Sequence, residues 1–498
     1  MSAPRQQGRK ARLVALAAVS SLALSSCVGN FDPNNPRQIS ASERQSGAQA
    51  HPQILAEFGG AYDGPGTDMV QRVGKQVSVA SGLATTGEEC TVTLLDSQVV
   101  NAFAIPGCYT YVTRGLLAIM ENEAQLASVL GHEVGHVAAQ HSQRRQNAAL
   151  GAGLLSVLAG VLTGSGQLAQ LAGQVGQVAT LKYSRDQEYQ SDDLGIRYMS
   201  EAGYDPYESA DILASLGEQS ALEARIRGQD EAAQIPAWSR SHPLSSDRVA
   251  RANQKAQETG LSPDQLEEGT APFMNAIDGM LYGDSPTQGY VDKHRFRHPQ
   301  LKLAFEVPDG FYLNNSSQAV VGTSGSSQTQ IQFSGGRLAS GASISNHVDQ
   351  VFQGLLGQSA SQAQFTNVQT TTINGMSAAT RQARVPVQGG QANVTVVAYQ
   401  FDANTAYHFI FLSPANADDS RIVSQTAQSF RKLSNAEAAQ LRPKIIDVVT
   451  VQRGDTISSL AARMAYDDYK VERFRVLNSL GEGDQLQAGQ RMKIVVNG

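Results

Sequence analysis

Residues 131–136 read Gly-His-Glu-Val-Gly-His, and this stretch constrains the chain more than any other. Two histidines four residues apart on a helix share one face about 6 Å apart, so His132 and His136 can both reach one zinc ion. Glu133 stands beside them, where a carboxylate can take the proton of a metal-activated water. Asn122 and Gln125 offer a capping box ahead of Ala124, Leu126, Ala127, Val129 and Leu130. That pattern predicts a helix starting near Glu123 and carrying the motif.

A tetrahedral catalytic zinc needs a third protein ligand and one open position. The stretch from Ser184 to Asp192 supplies carboxylates at the required spacing. Glu188 and Asp192 are four apart and share a helix face, so one can bind metal while the other orients a ligand histidine.

With these segments in hand, the chain resembles the HtpX/BepA-type zinc metallopeptidases, relatives of the CAAX prenyl proteases. The likeness is carried by Gly131–His136, by Ser184-Arg185 with Glu188, Ser191 and Asp192, by Ala202–Pro206, and by Ser241-His242-Pro243 with Arg248; upstream, Asn101–Ala104 and Gly115-Leu116-Leu117 also match. It spans about residues 51–270. The resemblance implies zinc on His132, His136 and Glu188, with Glu133 as general base and Asp192 as the acid behind a ligand. It places His242 near the metal, either as a donor to the transition state or as a ligand that blocks the open site at rest. Histidine can do either near neutral pH.

Peptide hydrolysis also requires an extended substrate. Thr91–Leu95 and Val99–Ala104 read as two strands of a hairpin. The resemblance points to Asn101, Ala102, Phe103 and Ala104 as an edge that pairs with substrate backbone; an ordinary core hairpin is the other reading. Cys90 and Cys108 flank this hairpin, either as a disulfide stapling it or as two buried thiols.

The amino terminus bears on compartment. Arg5, Arg9, Lys10 and Arg12 precede an apolar run from Leu13 to Leu24, the pattern of a secretory signal and too short for a span. Leu24-Ser25-Ser26-Cys27 resembles a lipobox, which would make Cys27 the lipidated first residue; a plain cleaved signal or a retained anchor are the alternatives. Val28, rather than an aspartate, favours the outer membrane by analogy with bacterial lipoprotein sorting. Loss of the four cations takes the formal charge from −6 to −10, and so acidic a chain argues against nucleic acid as partner.

The 498 residues have room for about three domains. The expected class is multidomain α+β. A signal peptide (1–26) and a flexible tether (27–50) precede a mainly helical zincin domain (51–270). A linker (271–295) leads to an α+β domain with a mainly antiparallel sheet (296–435), and a small βααβ module (445–498) ends the chain. Ala148–Thr163 is uncharged; at about 1.5 Å per residue it reaches about 24 Å, short of a bilayer core. It reads as a helical hairpin over the active site, with contact at a membrane surface as the runner-up. The middle domain has no catalytic constellation: His347 and His408 read as lone structural histidines, and its order of elements is loosely similar to small PsbP/Mog1-type domains. Residues 448–457 (Val-Val-Thr-Val-Gln-Arg-Gly-Asp-Thr-Ile) and 486–494 resemble a LysM module. That likeness implies binding of N-acetylglucosamine-containing glycans such as peptidoglycan, but Val451-Gln452-Arg453 departs from the usual lead, leaving a protein-interaction module as the alternative.

The expected activity is zinc-dependent endopeptidase action on misfolded or stalled envelope proteins by a lipoprotein facing the periplasm. A non-proteolytic chaperone or scaffold tethered to the cell wall is the competing reading.

Overall fold

The computed structural model describes residues 38–141, 183–226, 238, 242–243 and 246–498, apart from 264, 325 and 388–389. The signal segment, Cys27 and the run Ala148–Thr163 lie outside the described residues. The architecture is multidomain α+β. No described helix is long and apolar enough to cross a membrane.

The first region contains α1 (Ala41–Glu57), α2 (Thr67–Ala80), β1 (Thr91–Leu95), β2 (Ala102–Ile105), β3 (Tyr109–Thr113) and α3 (Arg114–Ile119). It continues with α4 (Glu123–Ala138), α5 (Arg185–Glu201), α6 (Glu208–Ile226), α7 (Ser246–Glu258) and α8 (Thr270–Ile277). The motif helix α4 starts where the sequence predicts, with the Asn122 side chain accepting from the Gln125 N–H. The return bond is offset by one residue: Gln125 Oε1 accepts from the Glu121 N–H rather than from Asn122. Removing a side-chain cap of this kind costs about 1 kcal/mol.

Two expectations fail in this region. The flexible tether does not extend to residue 50, because α1 begins at Ala41 with Ser40 and Glu43 forming a reciprocal capping box. Gly47 of α1 lies so close to the Pro106 carbonyl and the Tyr109 ring that a Cβ would sit 2.4 to 2.6 Å from them. The expected hairpin is also absent: the strand order is β1-β3-β2, with β1 parallel to β3 and β2 antiparallel to it. Six residues separate β1 from β2, and Thr113 Oγ1 at the end of β3 donates to the carbonyl of Asn101 (2.9 Å), drawing that connection to β3. Parallel pairing sets Cys90 and Cys108, each just ahead of its strand, side by side, and they are joined in a disulfide.

The stretch expected as a linker is built into the structure. Phe273, Met274, Ile277 and Met280 are buried in the core, and such residues cannot be left in a solvated connection without cost. β4 (Leu281–Tyr282), β5 (Tyr290–Asp292), β6 (Arg295–His298), β7 (Leu303–Glu306), β8 (Phe311–Asn315), β9 (Val320–Ser324) and β10 (Gln330–Arg337) follow. Then come α9 (Ile344–Leu356), β11 (Gln364–Phe365), β12 (Gln369–Ile373), β13 (Met376–Val387), β14 (Gly390–Gln400), β15 (Thr405–Pro414), α10 (Ser420–Ser429), β16 (Arg431–Lys432) and α11 (Asn435–Gln440).

An eight-stranded antiparallel sheet, ordered β11-β13-β14-β15-β10-β9-β8 with β12 on β13, dominates this part. α9 covers one face through Val348 and Phe352. Phe296, Phe305, Phe409 and Phe430 fill the other, below the sheet β16-β7-β6-β5. His347 and His408 are not lone: His347 Nε2 lies 3.2 Å from His408 Nδ1, and His408 Nε2 lies 3.1 Å from Ser334 Oγ. The two meet because α9 packs on β13 and β14, beside β15, a contact without local signature in the sequence. Burial lowers both, His408 to about 4, which keeps them neutral at pH 7.

The chain closes with β17 (Lys444–Thr450), α12 (Ile457–Ala462), α13 (Lys470–Leu477) and β18 (Arg491–Asn497), the expected βααβ order. β17 and β18 pair antiparallel from Lys444↔Asn497 to Thr450↔Arg491. Thr456 caps α12.

Candidate metal centre

The glycines of the motif explain how two helices converge on one point. A Cβ on Gly131 would lie 3.0 Å from the Gly195 carbonyl oxygen, and a Cβ on Gly195 would lie 2.8 Å from the His132 nitrogen. α4 and α5 therefore touch backbone to backbone, and the side chains beside the contact reach one another. Replacing Gly195 with Ala should force the helices apart, costing about 1–3 kcal/mol. Thermal unfolding together with zinc titration checks this, with both the midpoint and the metal affinity expected to fall.

His132, His136, Glu188 and His242 are all buried, and one ligand atom of each lies within 4.8 Å of the others. His132 Nε2 is 3.0 Å from His136 Nε2 and 3.1 Å from His242 Nδ1, while Glu188 Oε1 is 3.0 Å from His242 Nδ1 and 3.5 Å from His136 Nε2. The far sides of two rings are already engaged. Asp192 accepts from His132 Nδ1 at 2.8 Å, and His136 Nδ1 lies 2.9 Å from His141 Nδ1, whose Nε2 reaches Gln190 Oε1 at 2.9 Å. The inward nitrogens and Glu188 Oε1 thus converge on one point, with those pairs 3.0–3.5 Å apart. Ligand bonds of 2.0–2.1 Å in a tetrahedron would set such nitrogens about 3.3 Å apart. The donor set fits a metal.

Electrostatics agree with that reading at Glu188 and His136. Glu188 is held well below the usual carboxylate range: burial opposes ionisation, but the neighbouring His242, His136 and His132 outweigh it. Asp192 is likewise lowered to about 2 against its burial, chiefly by Arg248, which clamps it with Nε at 2.8 Å and Nη2 at 2.7 Å. Burial drives His136 well below its ordinary value, as a neutral ligand requires. For His132 burial also acts downward, but Asp192 prevails and raises it.

Glu133 is buried in the same pocket. Burial raises its carboxyl, and the backbone of Ala104 hydrogen-bonds to it. Its Oε1 has no hydrogen-bond partner among the described residues, though His242 Nε2 is 3.5 Å away. That orphaned oxygen beside the imidazoles is where a base would meet a proton.

The other expected residues fall around this centre. β2 is an edge of its sheet and lies against α4. Asn101 is buried just before it; Ala102 and Ala104 alternate with Phe103, whose ring packs away from the centre on Phe58 and Tyr111, with centroids 5.2 and 4.8 Å apart. Residues that the sequence reading did not single out complete the shell. Trp238 stacks on His242 with centroids 4.3 Å apart, and its carbonyl accepts from the His242 N–H at 2.8 Å. The Tyr183 ring stacks on His136 at 3.9 Å. His141, five residues past His136, had proximity as its one signal.

Comparison with known proteins gives the same answer. Residues 66–256 match the model of Peptidase family M48, and residues 449–495 match the LysM domain. The mitochondrial metalloendopeptidase OMA1 of Schizosaccharomyces pombe is 28% identical over 214 residues, covering 42% of this chain and 59% of that protein. The beta-barrel assembly-enhancing protease of Yersinia pestis is 29% identical, with 35% and 37% covered, and metalloprotease LoiP of Escherichia coli K12 is 29% identical, with 32% and 61% covered. The chain thus spans between about a third and three fifths of the length of these curated relatives. Among solved structures, cyanobacterial PsbP from Synechocystis sp. PCC 6803 matches at 15% identity and TM-score 0.24, over 29% of this chain and 96% of that one, a score that carries no argument. Every member of the buried cluster falls within the first of the two matched segments, so the likeness to Peptidase family M48 at residues 66–256 and the candidate metal centre rest on the same residues, while the likeness to the LysM domain is confined to residues 449–495.

Proposed function

We propose that the protein is a zinc-dependent metalloendopeptidase that cleaves misfolded or stalled proteins of the cell envelope. The observation that carries the reading is the convergence of three imidazole nitrogens and Glu188 on one point, with an orphaned oxygen of Glu133 against it. In this reading His132, His136 and Glu188 hold zinc, and the bound ion would polarise the scissile carbonyl and acidify a water. Glu133 takes the proton of the attacking water and passes it to the leaving amine. Asp192, held by Arg248, fixes the ring of His132. The edge of β2 at Asn101, Ala102 and Phe103 would align the substrate as an added strand beside Glu133.

The amino-terminal signal pattern and the lipobox-like run ending at Cys27 support an outer-membrane lipoprotein facing the periplasm, and one similar bacterial protein is named a beta-barrel assembly-enhancing protease. The LysM domain is the candidate contact with peptidoglycan. Incubation of the purified protein with unfolded casein tests the activity. Fragments should appear, vanish with a chelator and return on adding zinc. Intact casein under all three conditions would overturn the proposal.

A second reading keeps the metal but not the chemistry, because His242 makes the set four and a structural zinc site is closed by four protein ligands. His242→Ala separates the two. If His242 is a plug that substrate or a partner displaces, the variant should cleave casein several-fold faster. If it is a transition-state donor, turnover should fall at least tenfold with zinc retained. Equal absence of cleavage in wild type and variant, with zinc bound in both, would favour the closed scaffold.

A further inference from the structure

The LysM domain shares one core with the peptidase domain. Leu460, Phe474 and Ile494 are buried in the same apolar cluster as Leu117, Leu130 and Phe273. α13 lies against both α3 and α6. β4 is the third strand of the LysM sheet, pairing Leu281 with Ile445 and Tyr282 with Lys444. From the other side Arg114 of α3, only 1% exposed, donates to the carbonyls of Leu281 at 2.7 Å and Gly283 at 3.2 Å. A module hung on a flexible linker would close its own core and borrow no strand.

At the centre of this contact stands Lys493 of β18, with 0% exposure. Its Nζ donates to the carbonyls of Ala118 at 3.1 Å and Met120 at 2.5 Å. These belong to the end of α3, where helix carbonyls lack partners of their own. Asn478 holds the Lys493 backbone on both sides, accepting from its N–H at 2.7 Å and donating to its carbonyl at 2.9 Å. Burial pulls the ammonium down to about 8 against the attraction of Glu121. An apolar residue would spare the chain that desolvation. The cation instead holds the carbonyl of Met120, two residues before Asn122, which caps α4, the helix of His132 and His136.

We propose that the LysM domain is a built-in support of the metal centre, and that Lys493 is a positioning residue fixing the start of the metal-carrying helix from across the domain boundary. The proposal rests on the metal-centre reading above for its consequence, and on the packing alone for its premise. It gives this LysM domain a task that requires no glycan.

The test compares full-length Lys493→Met, which keeps the length but loses donors and charge, with Lys493→Gln, which keeps two N–H donors without charge. Zinc affinity is read by competition with a chromophoric chelator, and the order of α4 by amide hydrogen exchange of residues 123–136. Lys493→Met should bind zinc at least tenfold more weakly and exchange at least tenfold faster in α4, with Lys493→Gln in between. Val471→Ala, on an exposed position of α13, should match wild type. If Lys493→Met does not fold, Lys493→Gln carries both readouts. Wild-type zinc affinity and α4 exchange in the folded variants, or changes confined to residues 444–497, would overturn the proposal. A wild type that binds no zinc would instead sink the metal reading, and hydrogen exchange would then decide the role of Lys493 by itself.

Discussion

Glu133→Gln is expected to leave zinc content and thermal midpoint unchanged while casein cleavage falls at least about a hundredfold. The amide is isosteric and still accepts one hydrogen bond, so the Ala104 N–H that meets Glu133 keeps a partner. It cannot take a proton from the attacking water, and general-base catalysis contributes about 10²–10⁴ in rate. The buried position sharpens the expectation, because burial already raises the carboxyl and makes it a better base than an exposed glutamate. Cleavage within a few-fold of wild type would mean that another group removes the proton. His242, 3.5 Å away, would be the first to examine.

Loss of a ligand should act earlier, on the metal itself. Glu188→Ala removes the one carboxylate of the cluster and leaves three imidazoles together with Arg248, whose Nη1 lies 3.0 Å from Glu188 Oε2. The lost carboxylate removes a negative charge that faced the metal and leaves an incomplete tetrahedron beside the Arg248 cation, so the variant should emerge from purification with little bound metal and no activity. His132→Ala should do the same and also leave Asp192 without its histidine, 2.8 Å away in the wild type. Losing a ligand while taking one hydrogen bond from a buried carboxylate, which Arg248 still holds, makes a fall in thermal midpoint of a few degrees the expected companion. Full zinc occupancy in Glu188→Ala, measured by elemental analysis, would contradict its place among the ligands.

How much of this was legible in the sequence depends on how far apart the cooperating residues lie. The helix of His132 and His136 has a periodic apolar run and an Asn122 cap, both local, and it begins at the predicted residue. Glu188 and Asp192 share a face because Ser184 and Gln187 cap the helix that carries them. The βααβ module was equally plain. What could not be read were contacts made across the fold. Parallel pairing of β1 with β3 depends on the connection at residues 96–101, which the strand pattern alone presents as a hairpin. The Ser40/Glu43 box was visible but lay within a stretch rich in polar and small residues, which read as a tether. Residues 271–295 are punctuated by glycine and proline like a linker, yet Phe273, Met274 and Ile277 bury and β4 joins the LysM sheet. His141, Trp238 and Lys493 owe their roles to partners remote in the chain or on another helix, which no spacing rule encodes.

The central claim is that one zinc ion sits among His132, His136, Glu188 and His242, with Glu133 at its side. X-ray absorption at the zinc edge on the purified full-length protein addresses it most directly, combined with elemental analysis. The account predicts one zinc per chain in a shell of nitrogen and oxygen at about 2.0–2.1 Å, with a multiple-scattering signature of two or three imidazoles and no sulfur. His242→Ala should lose one imidazole from that shell if His242 is the resting plug. A chain without stoichiometric metal, or a zinc surrounded by oxygen alone, would contradict it.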